Sequence, residues 1–251
     1  MPNRSLTRFS RHKVAESAPY LSLIIPAYNE ERRIAETVEA VRAYLDSTGK
    51  SYEVIVVNDG SSDSTADILA SITGIEVISY MPNSGKGYAV RQGMLASRGE
   101  YAAFTDVDLS APIDELSKLF DAIESGADVA IGSRSVRGSQ LLVHQPHYRE
   151  LGGKMLNLFI RLFAVSGIHD TQCGFKLFVG DAARRVFAKC ILNGWGFDVE
   201  ALYLARKLGC RIAEVPVRWS HDADTRIRPL RAGLQVLCDV IRIRLHRYSG
   251  L

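Results

Sequence analysis

Several things are scarce in this chain. Only four cysteines occur in 251 residues, at positions 173, 190, 210 and 238, and none stands in a CxxC pair. That spacing excludes a zinc ribbon and a disulfide framework, and predicts reduced thiols in a cytosolic protein. Long apolar runs are missing too. The greasiest stretch, Met155 to Ile168, carries Asn157 and Arg161 and falls short of the roughly 20 residues that a membrane-spanning helix needs. No apolar core precedes Tyr20, so no signal peptide is expected. Both familiar phosphate-binding fingerprints are absent: no GxGxxG follows the first apolar run, and Asn83-Ser-Gly-Lys-Gly87 lacks the Walker spacing. These absences exclude nicotinamide dehydrogenases and P-loop ATPases. There is no internal repeat, low-complexity tract or splitting linker.

What is present is an ordinary globular composition with unevenly placed charge. Apolar residues make up 47% of the chain and charged residues 24%, enough for one full core, so a single α/β domain is expected. The net charge is only +3, but Arg4, Arg8, Arg11 and Lys13 precede the first acid, and between Arg206 and Arg247 ten Lys or Arg stand against four Asp or Glu. Basic residues beside apolar helices suit either an anionic surface such as a membrane or plain solvation. No nucleic-acid partner is expected.

Residues 1–19 are expected to form a flexible arm, 20–230 the folded domain, and 231–251 a basic amphipathic helix. Within the domain, Leu21–Ile25 reads as a short buried strand stopped by Pro26. Asn29 then suits an N-cap, with Glu30 and Glu31 in the first turn and Ile34, Val38, Val41 and Leu45 at helical spacing. Glu53–Val57, Ile75–Ser79, Tyr101–Thr105 and Asp128–Ile131 read as further strands, with helices after Ser64 and from Gly85-Lys86-Gly87 between them. The rhythm changes after Gly132. A helix over Gly153–Val165, a strand over Arg211–Trp219 and a helix over Leu230–Arg247 follow, the last with Leu234, Leu237, Ile241 and Leu245 on one stripe. Alternating strands and helices predict a mainly parallel, Rossmann-like sheet, whose ligands bind beyond the carboxyl ends of the strands. Pro26–Asn29, Asn58–Ser64, Asn83–Gly87 and Asp106–Ser110 all fall there, four polar loops on one rim.

Asp106 and Asp108 close the apolar run Tyr101–Thr105. In an extended backbone, residues i and i+2 point the same way, and two carboxylates so close do not ionise comfortably without a cation between them. The chemistry suits a hard divalent ion, Mg²⁺ or Mn²⁺, shared with a phosphate; two solvated loop acids are the plain alternative. Tyr28, Glu30 and Asp59 line a cleft fit for a base and ribose. Asp59 either accepts from a base N–H or closes the turn Asn58-Asp59-Gly60.

Pro26-Ala-Tyr-Asn-Glu30, Val57-Asn-Asp-Gly-Ser-Ser-Asp-Ser-Thr65, Asn83-Ser-Gly-Lys-Gly87 and Asp106-Val-Asp108 together resemble the family 2 glycosyltransferases of the GT-A fold. Gly132-Ser-Arg134, Asp170-Thr-Gln-Cys-Gly-Phe-Lys-Leu-Phe178 and Glu214-Val-Pro-Val-Arg-Trp219 narrow the resemblance to polyprenyl-phosphate sugar synthases, dolichyl-phosphate β-glucosyltransferases above all. The resemblance covers about residues 20–230. It implies a nucleotide-sugar half over 20–132 and an acceptor half over 133–230. Pro26, Ala27, Tyr28, Glu30 and Asp59 would surround the nucleotide, Lys86 would lie nearby, and Asp106 and Asp108 would flank metal and diphosphate. Two departures stand out. Ser110 replaces the Gln common in mannosyl relatives, which argues against GDP-mannose, and Asn58 replaces the usual Asp.

Glycosyl transfer leaves a nucleoside diphosphate with growing negative charge, which a divalent ion stabilises. A sugar-hydroxyl acceptor needs a general base. A phosphate acceptor, with its second pKa near 6, needs cations instead, and Arg is suited to grip it. Arg134, Arg149, Arg226 and Arg228 are the candidates, with Lys154 and Arg137 behind them. Asp198 and Glu200 suit sugar hydroxyls or the arginine cluster, with Glu200 reading as structural, and Asp198 is the one carboxylate that would serve a saccharide acceptor. Trp195 suits a sugar face or the core; Asp170, Gln172 and Lys176 suit the acceptor loop; His221 is a weak metal candidate, and His144, His147 and His169 are weaker still. The expected activity is inverting transfer of a hexose, glucose first, from UDP-glucose to a polyprenyl phosphate, by an enzyme held peripherally at the cytoplasmic face of a membrane. The helix over Met155–Val165 and the C-terminal helix are candidates for lipid contact, or else for core packing and a homodimer interface. The rival readings are a saccharide acceptor, a haloacid dehalogenase-like phosphatase using Asp106, and a non-catalytic nucleotide-sugar sensor.

Overall fold

The computed structural model describes residues 18–143, 147–220 and 229–250. In chain order the elements are β1 (Leu21–Ala27), α1 (Ile34–Ser47), β2 (Tyr52–Asp59), α2 (Thr65–Ser71), β3 (Glu76–Tyr80), α3 (Lys86–Ala96) and β4 (Tyr101–Phe104). A 3-10 turn (Ile113–Glu115) leads into α4 (Leu116–Glu124), β5 (Val129–Ser133), β6 (Gln140–Val143), α5 (His147–Phe163), β7 (Lys176–Val179) and α6 (Gly180–Phe187). Then come α7 (Phe197–Lys207), β8 (Ile212–Pro216), β9 (Arg218–Ser220) and α8 (Pro229–Leu245). Seven strands form one sheet in the order β3-β2-β1-β4-β7-β5-β8. All neighbours are parallel except β7, which runs antiparallel to both β4 and β5.

β1, β2 and β4 are near-continuous apolar runs because helices cover both faces of the sheet. Alternate residues of each strand serve opposite layers. Ile24, Ile55, Val57 and Phe104 pack with α3, α6 and α7, while Leu23, Ile25, Val54 and Val56 pack with α1 and α4. The expected α/β fold with a mainly parallel sheet is thus present as a single domain.

Four local expectations change. Asn29 does not cap α1, which starts at Ile34 after Arg33. Asn29 instead takes φ +57°, and its Oδ1 accepts from Ser62 N–H at 2.7 Å. A side chain that links two rim loops cannot also cap a helix. The strand expected over Arg211–Trp219 is two: β8 ends at Pro216, and β9 pairs with β6 in a separate ribbon. β7 was unmarked as a strand because it is only four residues long and begins with a fully buried lysine, against the usual preference of Lys for the surface. In α8, the stripe Leu234, Ile241 and Leu245 faces outward, and Val236, Val240 and Ile243 serve the core.

The end of the sheet opposite the polar rim is pinned by Glu53. Its carboxylate accepts from the Ser22 hydroxyl at 2.6 Å and from Arg98 N–H and Nε–H, both at 2.9 Å. Burial pushes the Glu53 carboxyl up, but the Ser22 and Arg98 hydrogen bonds outweigh it and hold the group below its ordinary range. A depressed folded pKa stabilises above the unfolded value, near 4.3, and the gain disappears as pH falls through the folded value. Glu53→Gln should therefore lower stability by about 1–3 kcal/mol at neutral pH, with the gap closing in acid as the pH falls through the folded value. Urea melts at neutral and at acid pH check this; an equal gap at both contradicts it.

Candidate active site

The sheet order places the carboxyl ends of β2, β1 and β4 side by side. Because β7 runs backwards, its entry end meets the exit end of β4, with Phe104 opposite Lys176. The segment Asp170–Phe175 therefore arrives on the same rim as Asp106 and Asp108. Gly174 shows how closely it arrives: a Cβ there would lie 2.1 Å from Asp106 Oδ2, so only glycine lets the backbone reach that carboxylate.

The acidic loop is tied down from three directions. The Thr37 hydroxyl on α1 donates to Val107 O at 2.6 Å, between the two aspartates. Ser110 N–H donates to Asp108 Oδ1 at 2.9 Å, and Ser220 N–H on β9 donates to Ser110 O at 2.8 Å. Leu109 takes φ +45°, uncommon for a residue with a side chain. Asp108 faces solvent, yet enough protein surrounds its carboxylate that desolvation, and then the like charge of Asp106, raise its pKa.

Lys86 opens α3 and places Nζ 2.5 Å from Asp106 Oδ1. Burial alone would lower the Lys86 pKa; Asp106 and then Asp198 outweigh it and raise it. The ammonium also lies 5.7 Å from the centre of the Trp195 ring, so Trp195 sits beside the lysine. Gly87 lets this turn press on the start of α7, where a Cβ would meet Phe197 Cβ at 2.6 Å. Asp198, in the first turn of α7, is buried and hydrogen-bonded by the fully buried Lys176. Burial lifts the Asp198 carboxyl, and Lys176 and Lys86 only partly offset that. The Asp198 carboxylate is thus held by Lys176 beneath the rim.

The nucleotide-side residues fall into two groups. Tyr28 is 44% exposed at the end of β1, while Pro26 and Ala27 belong to the strand itself. Glu30 pairs with Arg33 at 2.8 Å, and its N–H donates to Thr65 Oγ1 at 2.8 Å. Asp59 is buried, and its carboxylate accepts from Asn83 Nδ2–H, Ser84 N–H and Gly85 N–H at 2.8–2.9 Å. The turn at Asn58-Asp59-Gly60 is held by Asn58 Oδ1, which accepts from Ser61 N–H; Asp59 instead fixes the loop that delivers Lys86.

Arg134 follows β5 and meets Asp170 through a fork, Nε to Oδ2 at 2.7 Å and Nη2 to Oδ1 at 2.8 Å, beside the Trp219 ring. Two of its three nitrogens thus hold the loop over 170–175. Asp170 feels burial upward, but Arg134 outweighs it and keeps the carboxyl below its ordinary range. Gln172 lies in the same loop, whereas Lys176 pairs with Asp198 and Asp170 with Arg134. His169 Nδ1 contacts Glu214 at 2.9 Å. Glu200 is structural as expected: its oxygens accept from Ile191 N–H, Leu192 N–H and the Tyr248 hydroxyl. Arg226, Arg228, His144 and His221 lie outside the described residues, as do the side chains of Arg149, Lys154 and His147. Thr37 and Ser220 carried no signal in the sequence, because each acts across a long stretch of chain; Gly174 stood in a recognised segment without a role.

Among the described residues no group of three or more His, Cys, Asp or Glu could enclose a metal. The donor set nevertheless fits a hard divalent ion: two carboxylates on one edge, one of them already neutralised by an ammonium, and a glycine cradle at Asp106. Such an ion would take its remaining ligands from substrate oxygens and water.

Known proteins agree with this geometry. Dolichyl-phosphate beta-glucosyltransferase of Dictyostelium discoideum is 36% identical over 92% of this chain and 76% of its own length. Its Drosophila melanogaster counterpart is 37% identical, and that of Homo sapiens 33%, over the same shares. The crystal structure of glucosyl-3-phosphoglycerate synthase from Mycobacterium tuberculosis with Mn²⁺ and uridine-diphosphate-glucose superposes with a TM-score of 0.67 at 19% identity, covering 93% of this chain and 82% of that one. The family described as Glycosyl transferase family 2 matches residues 22–187, which take in the nucleotide loops, Lys86, the aspartate pair and Arg134, and the chain belongs to that family.

Proposed function

We propose that this protein transfers glucose from UDP-glucose to a dolichyl or related polyprenyl phosphate, with inversion, using Mg²⁺ or Mn²⁺ held by Asp106 and Asp108. The names of its relatives support the sugar and the lipid acceptor. The structural neighbour, bound to Mn²⁺ and UDP-glucose, supports the donor and the metal. The observation that carries the phosphate acceptor is the commitment of four acids beside the aspartate pair. Asp198 is engaged by Lys176, Asp170 by Arg134, Glu30 by Arg33, and Asp59 by the loop over 83–85. Among these described carboxylates none remains to deprotonate a sugar hydroxyl, and a phosphate acceptor needs no such base.

In this mechanism Tyr28 and Glu30 hold the nucleoside, and Lys86 offers its ammonium to the diphosphate from the N-terminus of α3. The divalent ion, when bound, supplies Lewis-acid stabilisation of the leaving nucleoside diphosphate. A phosphate oxygen of the acceptor attacks the anomeric carbon as the bond to the diphosphate breaks on the opposite face, so an α-linked donor gives a β-linked product. Arg134 keeps the acceptor loop in place through Asp170, and Arg149, Arg226 and Arg228 supply cationic charge to the incoming phosphate.

The lipid chain is placed along α5 and α8, which pack against each other. Met155, Leu158 and Leu162 on α5 and Leu234, Ile241 and Leu245 on α8 are all more than half exposed, and Arg161, Arg242, Arg244 and Arg247 flank them. No described helix is long and apolar enough to cross a membrane. Apolar stripes bordered by arginines suit the interface of an anionic cytoplasmic leaflet.

Purified protein incubated with labelled UDP-glucose, polyprenyl phosphate and Mn²⁺ should move label into the organic phase; label that stays aqueous with every sugar nucleotide contradicts the reading. Asp108→Asn should cut that rate about a hundredfold or more, because several kcal/mol of leaving-group stabilisation is lost. Leu158→Glu with Leu162→Glu should reduce sedimentation with vesicles rich in phosphatidylserine. Unchanged sedimentation would remove the membrane assignment.

A further inference from the structure

The charged side chains beneath the rim form an ordered row: Asp108, Asp106, Lys86, Asp198, Lys176. The signs alternate except at the open end, where the two aspartates meet. Lys86 touches Asp106 at 2.5 Å and is only 21% exposed, and Asp198, fixed by Lys176, is near enough to act on it as well. Asp106 has little freedom to move away, since Gly174 lies against its other oxygen and Thr37 holds the neighbouring Val107 carbonyl. The ammonium therefore stands where a divalent ion would have to bind.

We propose that Lys86 is a resident counter-cation that blocks metal capture by the free enzyme and surrenders Asp106 only when metal and diphosphate arrive together. Two cations on one half-buried carboxylate repel each other, so a divalent ion alone must displace Lys86 without giving it a new anion. A diphosphate supplies that anion at the start of α3. The consequence is strong mutual dependence: the metal binds weakly alone and tightly with the nucleotide, and by linkage the nucleotide gains as much from the metal. The inference rests on the reading of Asp106 and Asp108 as metal ligands.

Mn²⁺ binding to the full chain, followed by the electron paramagnetic resonance signal of free Mn²⁺ and corrected for Mn²⁺ held by free UDP, tests it without reference to turnover. In the parent protein, saturating UDP should tighten Mn²⁺ by about tenfold or more. Lys86→Gln should bind Mn²⁺ alone about five- to tenfold more tightly than the parent, and UDP should then add less than about threefold. Lys86→Arg, which keeps the cation, should resemble the parent without UDP. If Lys86→Gln binds Mn²⁺ alone no better than the parent, the handover is wrong. If Lys86→Gln fails to melt as a folded protein, the parent measurement decides: Mn²⁺ affinity that UDP leaves unchanged overturns the handover. Failure of the parent to bind Mn²⁺ even with UDP, or full binding by Asp106→Asn, would instead overturn the metal reading beneath it.

Discussion

Everything at the rim depends on one electrostatic constraint. Two carboxylates two residues apart stand in the turn that follows a buried strand, close enough for Asp106 to raise the pKa of Asp108, and like charge crowded there calls for a cation. Lys86 meets that need at Asp106, and the elements around it exist to hold this meeting in register. Asp59 fixes the loop that brings Lys86 in. Thr37 and Ser220 fix the loop that carries the acids.

The second requirement is topological. A wholly parallel sheet would have sent the chain after β5 away through another crossover helix. By inserting β7 antiparallel between β4 and β5, the fold returns Asp170, Gly174 and Lys176 to the rim already occupied by the nucleotide loops. One strand reversal thus brings the segment over 170–175 to the same rim within a single domain. It also explains the buried lysine that begins β7, which anchors Asp198 beneath the site rather than facing solvent.

Much of this was legible in the residues. The four rim loops and the paired aspartates followed from strand runs that end in polar, glycine-rich turns, because period-2 patterning and chain-end rules act locally. What escaped was whatever depends on distant partners. Asn29 looked like a helix cap because its local chemistry allows either use, and only Ser62, 33 residues on, decides between them. Asp198 looked available because a sequence does not reveal that Lys176 is folded beneath it. The stripe on α8 looked like a core face, yet the core took the neighbouring valines and left the leucines outside. Periodicity shows that a helix has an apolar face, not which neighbour covers it.

The central claim is most directly examined by crystals grown with UDP-glucose and Mn²⁺, using anomalous scattering at the manganese edge to locate the ion. The account predicts a single strong peak within bonding distance of the Asp106 and Asp108 carboxylates, with the Lys86 ammonium moved from Asp106 onto the diphosphate. A peak elsewhere, or an intact Lys86–Asp106 contact beside bound donor, would contradict it.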